Sequence, residues 1–140
     1  NSKKEIDKSS LTAIKEATEQ GKIVISDRHT DSSLAYQGYG RQLDVEKIDM
    51  LNNIATSGLK PDLTIVFDID VETSMKRVGN EKDHMESAGK EFFERVRQGY
   101  LKIAQKEPNR VKVINSVDSI ENIHKQVVQL FVELNEKLAK

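Results

Sequence analysis

Apolar and polar positions switch along the chain between a helical and an extended period. Residues 1–8 are polar, mostly Lys, Glu, Asp and Ser. Leu11, Ile14 and Ala17 or Thr18 then recur at helical spacing, with Gly21 beyond Glu19 to stop the helix. Ser9 or Ser10 can cap its start, and a start near Lys3 serves equally. Ile23, Val24 and Ile25 follow as three β-formers in a row, so Lys22–Ser26 reads as a buried parallel strand, where alternation is not expected. Asp31–Tyr36 predicts a short helix ended by Gly38 and Gly40. Asp44 caps a second, with Val45, Ile48, Leu51 and Ile54 or Ala55 as its apolar stripe and Gly58 as its stop. Pro61-Asp62 turns the chain into a strand over Leu63–Phe67, and Asp70 caps a helix over Val71–Val78. After the polar, aperiodic Gly79–Ala88, a long helix runs from about Lys90 to Lys106. Its stripe is Phe92, Phe93, Val96, Tyr100, Ile103 and Ala104, and Pro108 closes it. A short strand over Arg110–Ile114 and a last helix capped by Ser119 complete the chain. The buried face of that helix is expected at Ile120, Ile123, Val127, Leu130 or Phe131, and Leu134.

This alternation predicts an α/β fold of βα units, a parallel sheet with helices on both faces. Three strands are few for such a sheet, and the helices outnumber them. The 140 residues fit one domain, and no repeat, linker or low-complexity stretch divides them. Charge sharpens the picture only by subtraction. Lys+Arg 22 against Asp+Glu 23 leaves a net charge of -1, so no basic bulk favours nucleic acid, and any anionic ligand has to be held by a few placed cations. Cysteine is absent, which removes thiolate nucleophiles and Cys-based zinc sites and suits a cytoplasmic setting. No apolar run approaches the ~18–20 residues of a membrane span, so no membrane partner is expected. The chain opens on Asn1 rather than Met, as a fragment or processed product does.

Candidate chemistry gathers after the first predicted strand. Polar groups at the carboxyl end of a buried strand sit where open α/β sheets bind ligands. There Asp27 is placed to help hold Mg2+ through water or to fix a neighbouring Arg, and Arg28 offers a planar fork that matches phosphate oxygens. A surface ion pair is the plainer reading of the same dipeptide. Ser32, Ser33, Tyr36 and Gln37 add four hydrogen-bonding groups within six residues. Gln37 both donates and accepts, as the edge of a pyrimidine requires. Ser32 serves equally as a cap, and Tyr36 equally as a core ring. The segment Gly79–Glu86, with Arg77, Lys82 and His84 as its cations, reads either as a lid over a polyanion or as a solvated loop. Arg95 and Arg97 lie two apart on a helix, so at most one faces the Arg28 pocket. His29, His84 and His124 lack metal-ligand spacing. Asp68 reads as an exposed loop acid and Asp70 as a cap. No GxxxxGK[ST] occurs, so these residues contain no phosphate cradle of that kind for ATP.

Several separate stretches, in order, resemble the thymidylate kinase family. Asp27–Gly38 is similar to its DR(Y/H)xxSSxAYQG segment. Leu59–Thr64, the Phe67–Asp70 strand end and Phe92–Tyr100, similar to FFxRVRxGY, follow. The likeness covers the chain from about Ala13 onward. It implies the C-terminal two-thirds of a kinase with a three-layer, P-loop NTPase-like parallel sheet, incomplete because the first two strands are absent. The family's first strand would lie between Lys22–Ser26 and Leu63–Phe67, leaving both edges here unpaired. The implied reaction is transfer of the ATP γ-phosphoryl group to dTMP, giving dTDP, with ATP and Mg2+ as cofactors. Arg28 would hold the acceptor phosphate, and Asp27 would lie near Mg2+ and the phosphates. Ser33 would sit beside sugar or base, Tyr36 against the nucleoside and Gln37 on the thymine. Residues 79–89 match the lid, where Asp83-His84-Met85-Glu86 stands for DRxE, so His84 takes the place of the catalytic arginine as the candidate catalytic lid residue, and lid catalysis would be weaker or supplied by Arg77 or Lys82. The family also implies a homodimer, with the Asp44–Ser57 helix as candidate contact. The isolated chain is expected to be inactive. Alternatives are a kinase for another nucleotide or deoxynucleoside, and a non-catalytic nucleotide-binding or protein-interaction remnant.

Overall fold

A computed structural model describes residues 8–78 and 87–139, and these form six α-helices, one π-helix and a two-stranded parallel sheet. Helix α1 (Lys8–Glu19) buries Leu11 and half-buries Ile14 and Ala17, the stripe expected from their spacing. It is already helical at Lys8, so Ser9 and Ser10 lie inside it and do not cap it. Its C-terminus closes with Lys22 N–H on the Ala17 carbonyl at 2.9 Å and Gly21 N–H on that of Thr18 at 3.0 Å. Gly21 supplies the left-handed φ of 74° that this closure needs.

The predicted strand at Lys22–Ser26 does not form. The segment is extended but unpaired, and Ile23 and Ile25 are 70% and 92% exposed. A strand is stable only with a neighbour to take its backbone hydrogen bonds and a face to bury. Here the sheet consists of β1 (Thr64–Asp68) and β2 (Val111–Asn115) alone, so this run of β-formers has neither. The two strands pair in parallel, Thr64 opposite Val111 through Asp68 opposite Asn115. Each lies one residue later than its sequence pattern suggests. The Asp68 carbonyl extends the ladder by accepting from Ser116 N–H at 2.8 Å.

Between α1 and the sheet, α2 (Thr30–Ser33) runs directly into the π-helix Leu34–Gly40. Gly38 therefore lies inside a helical segment, which ends at Gly40 as expected. Their smallness serves packing: a Cβ on Gly40 would stand 2.7 Å from Val96 Cγ2 and 2.8 Å from Phe92 Cε2. Helix α3 (Val45–Thr56) is capped by Asp44, whose carboxylate accepts from the Glu46 and Lys47 N–H groups. Its inward face is Val45, Ile48, Asn52 and Thr56, so the stripe predicted through Leu51 and Ile54 is turned to solvent beyond Ile48. Polar anchoring explains the rotation. Asn52 Nδ2 donates to the Thr30 carbonyl at 3.4 Å, and the Thr56 hydroxyl, 2% exposed, donates to the Asn52 carbonyl at 2.8 Å. At its end Ser57, not Gly58, takes the first left-handed position, with φ 52°.

Helix α4 (Val71–Val78) is capped by Asp70, which accepts from Thr73 N–H at 2.8 Å. Helix α5 (Ser87–Lys106) supplies Val96, Ile103 and Ala104 to a core shared with Ala35 and Val111, and Leu34, Tyr36, Tyr39, Val66, Phe92 and Tyr100 pack around it. Each fully buried aliphatic side chain there contributes roughly 1.5–3 kcal/mol. Helix α6 (Ile120–Leu138), capped by Ser119, packs on β2 and half-buries Ile123, Val127, Leu130 and Leu134, while Ile120 stays 87% exposed. Val111 meets the α5 core, and by strand alternation Ile114, 2% exposed, projects from the opposite face. Helices thus cover both faces of the sheet, an α/β arrangement of three layers around two strands. No described helix is long and apolar enough to cross a membrane.

Candidate functional site

Arg28 stands at the turn where the exposed segment meets α2. Its backbone is left-handed, with φ 67°, and Ser26 Oγ donates to its carbonyl at 3.1 Å. Its guanidinium lies over the Tyr36 ring, 5.4 Å from the centroid, and has no hydrogen-bonding or ionic partner among the described residues. A cation resting on an aromatic face with its donors uncommitted can accept an oxyanion without first breaking an ion pair. Asp27, beside it, is exposed, and its carboxylate is likewise unpaired among the described residues.

The α2 start is shaped by His29. Its Nδ1 accepts from Thr30 N–H at 2.7 Å, so His29 and not Ser32 is the cap. Burial holds the imidazole below its usual 6.5; Asp31 opposes that shift and Arg110 adds to it. Neutral Nδ1 is what an accepting cap requires. Ser32 is engaged elsewhere, its Oγ accepting from the Tyr100 hydroxyl at 2.7 Å. Burial raises the Tyr100 phenol above its ordinary value, which keeps it a donor at neutral pH. Tyr36 packs as a ring against the core. Its ring makes edge contacts with Phe92 and Tyr100, at 6.1 and 6.4 Å between centroids, while its face carries Arg28.

Ser33 and Gln37 are half-buried, and neither side chain makes a protein hydrogen bond among the described residues. The π-helix geometry, marked by Arg41 N–H on the Tyr36 carbonyl at 2.9 Å, widens the turn that presents Tyr36 and Gln37. Arg28, Tyr36 and the Ser32–Tyr100 pair are therefore brought together, and Ser33 and Gln37 follow on the same helical segment. Neither α5 arginine joins them. Arg95 Nε caps the π-helix by donating to the Gly40 carbonyl at 2.9 Å. Arg97 forks onto Asp68 at 2.8 and 3.2 Å. That pairing also corrects the reading of Asp68 as an exposed loop acid: it ends β1 with its side chain 21% exposed. Of the lid candidates, Arg77 donates to the Ser116 carbonyl at 3.0 Å, away from Arg28. Lys82, Asp83, His84 and Glu86 lie outside the described residues.

Two open cavities accompany this geometry. One of about 520 Å³ lies on the outer side of the π-helix and α5, lined by Tyr39, Glu94, Arg95, Gln98 and Lys102. It does not include Arg28 or Gln37. The other, about 330 Å³, lies at the carboxyl ends of the strands between Asp68, Asp70, Arg97 and Asn115, the ligand edge of an open α/β sheet.

A family model described as thymidylate kinase matches residues 4–127. The chain is 44% identical over 124 residues to a thymidylate kinase of Kosmotoga olearia, covering 87% of this chain and 60% of that protein. It is 47% identical over 115 residues to one of a Sulfurihydrogenibium species, covering 82% and 56%. A crystal structure of thymidylate kinase from Ehrlichia chaffeensis superposes with a TM-score of 0.67 at 35% identity, covering 88% of this chain and 57% of that one. The chain thus spans about three-fifths of the length of the curated relatives it matches.

Proposed function

The chain belongs to the thymidylate kinase family, and on that premise we propose that Arg28, Ser32, Ser33, Tyr36 and Gln37 form the acceptor side of a site that transfers the ATP γ-phosphoryl group to dTMP. The observation that carries this reading is the uncommitted Arg28 guanidinium on the Tyr36 ring, at the head of a helix whose Ser33 and Gln37 side chains have no protein partner among the described residues. A phosphate on Arg28 would leave the nucleoside to run along the π-helix toward Gln37. Charge develops on phosphoryl oxygens during transfer, so a fixed cation at the acceptor is one of the groups that lowers the barrier.

The donor side is built differently. The 140 residues contain no GxxxxGK[ST] cradle. Asp27 is one exposed carboxylate, and no group of three or more His, Cys, Asp or Glu side chains converges among the described residues. This donor set suits an outer-sphere water contact to Mg2+ rather than a closed metal site. Residues 79–89, with Arg77 at their edge, are assigned as the lid on the family likeness alone. The outward apolar face of α3, where Met50 and Leu51 are 57% exposed and Ile54 70%, is the proposed homodimer contact.

Calorimetric titration of the whole chain with dTMP, dUMP, dCMP and AMP tests the acceptor assignment. Preference for dTMP, lost on Arg28→Met, is expected. Equal binding of all four, or dTMP binding unchanged by Arg28→Met, rejects it. Undetectable binding of every nucleotide favours an interaction role instead.

A further inference from the structure

Arg110 lies far from the candidate site in sequence and is used by nothing proposed above, yet it is the hub of a polar cluster with Asp31, Thr64 and Glu107. Its guanidinium forks onto Asp31, Nη1 to Oδ2 at 2.7 Å and Nη2 to Oδ1 at 2.9 Å. The two side chains are only 13% and 10% exposed. Glu107 accepts from Nη2 at 2.6 Å, and Thr64 Oγ1 accepts from Nη1 at 3.0 Å. Arg110 is thereby fixed to the end of α5 and the start of β1 before it reaches Asp31.

We infer that Arg110 is a positioning residue for Arg28, acting through its buried ion pair with Asp31. The inference rests on the reading of Arg28 as holder of the acceptor phosphate. The segment before Arg28 is exposed and joins no strand, and its one bond to Arg28, from Ser26 Oγ, reaches the carbonyl and not the side chain. The turn that carries Arg28 is set instead by α2, and each of its first three residues is held: Thr30 by Asn52, Asp31 by Arg110 and Thr64, and Ser32 by Tyr100. The pair joins this turn to the sheet. Stability alone is a weak reason for such a pair, because apolar residues of similar volume often do as well in its place. Bidentate geometry is what it provides, a fixed angle between the α2 start and the strands.

Arg110→Met and Arg110→Lys, made in the whole chain, test this. The ring current of Tyr36 displaces the Arg28 Nε–Hε resonance, and the displacement reports the aim of Arg28. In folded Arg110→Met it is expected to collapse, with dTMP affinity down about tenfold or more and thymidine affinity within about twofold. Arg110→Lys, which keeps charge without the fork, should fall between. If Arg110→Met does not fold, the lysine variant decides by the same readouts. An unchanged Arg28 resonance, or equal losses for dTMP and thymidine, overturns the inference. Should the unmodified chain bind dTMP no more tightly than thymidine, the phosphate role of Arg28 fails, while the resonance still decides whether Arg110 positions it.

Discussion

Gly99→Ala puts the contact between α5 and the π-helix under direct strain. Gly99 lies within α5 and is buried against Tyr39. A Cβ there would stand 2.7 Å from Tyr39 Cβ, 2.8 Å from Cγ and 2.9 Å from Cδ2. The closest of these atoms, Tyr39 Cβ, is fixed by the backbone and cannot swing aside by a rotamer change, so the helices must separate. In an exposed helix interior the same substitution gains about 1 kcal/mol from propensity. Overpacking costs about 1–3 kcal/mol, and three contacts below van der Waals distance place this case in the upper half of that range. The net is a loss of about 1–2 kcal/mol, or a fall of roughly 3–8 °C in Tm for a chain of this size.

Circular dichroism at a helical wavelength during heating measures it, with urea unfolding as a second estimate. Tyr39→Ala removes the ring atoms of the clash, so in that background Gly99→Ala should lose at least half its cost, a coupling visible in a double-mutant cycle. A Gly99→Ala chain that melts above the unmodified one would refute the reasoning, because propensity would then outweigh the contact. The consequence reaches the candidate site. Tyr36 and Gln37 are on the same π-helix as Tyr39, and separating it from α5 loosens the ring on which Arg28 rests.

Other outcomes follow from the same geometry. Gly40→Ala should cost less than Gly99→Ala, because one of its two closest contacts is the rim of the Phe92 ring, which can rotate; an equal or larger fall in Tm contradicts this. His29 is held below 6.5 in the folded chain chiefly by burial. The unfolded chain therefore binds more protons as pH drops below 6.5, and stability present above that pH is lost as pH falls through the lowered folded value. His29→Asn keeps a capping acceptor and should flatten the decline of urea midpoints as pH falls below 6.5; parallel slopes rule the assignment out. Leu51→Asp with Ile54→Lys should convert a sedimenting dimer to monomer without lowering Tm, and a monomeric unmodified chain dismisses the α3 interface. Asp68→Asn weakens its fork with Arg97, a part-exposed pair, and should cost about 1 kcal/mol by urea unfolding while leaving Arg28 unmoved.

What the sequence could reveal depended on how far apart the interacting residues lie. The caps Asp44, Asp70 and Ser119 and the bounds of α4 were legible because each is decided within one helical turn. The candidate acceptor residues could be proposed from the sequence for a related reason: Arg28, Ser33, Tyr36 and Gln37 are neighbours along one turn-and-helix segment. Readings failed where a partner outside the segment decides, as Arg97 does for Asp68. Ile23, Val24 and Ile25 have the β propensity of a strand, but propensity cannot supply the neighbour that would pair them. Leu51 and Ile54 have the helical period of a buried face, yet Asn52 and Thr56 turn α3 by bonds that a hydrophobic count does not register. Arg110 was invisible for the strongest form of this reason. Beside Pro108 and Asn109 it looks like any turn arginine, and its partner Asp31 lies 79 residues away. The candidate binding residues are thus readable from local chemistry. Those that aim them emerge only when the fold closes the distance.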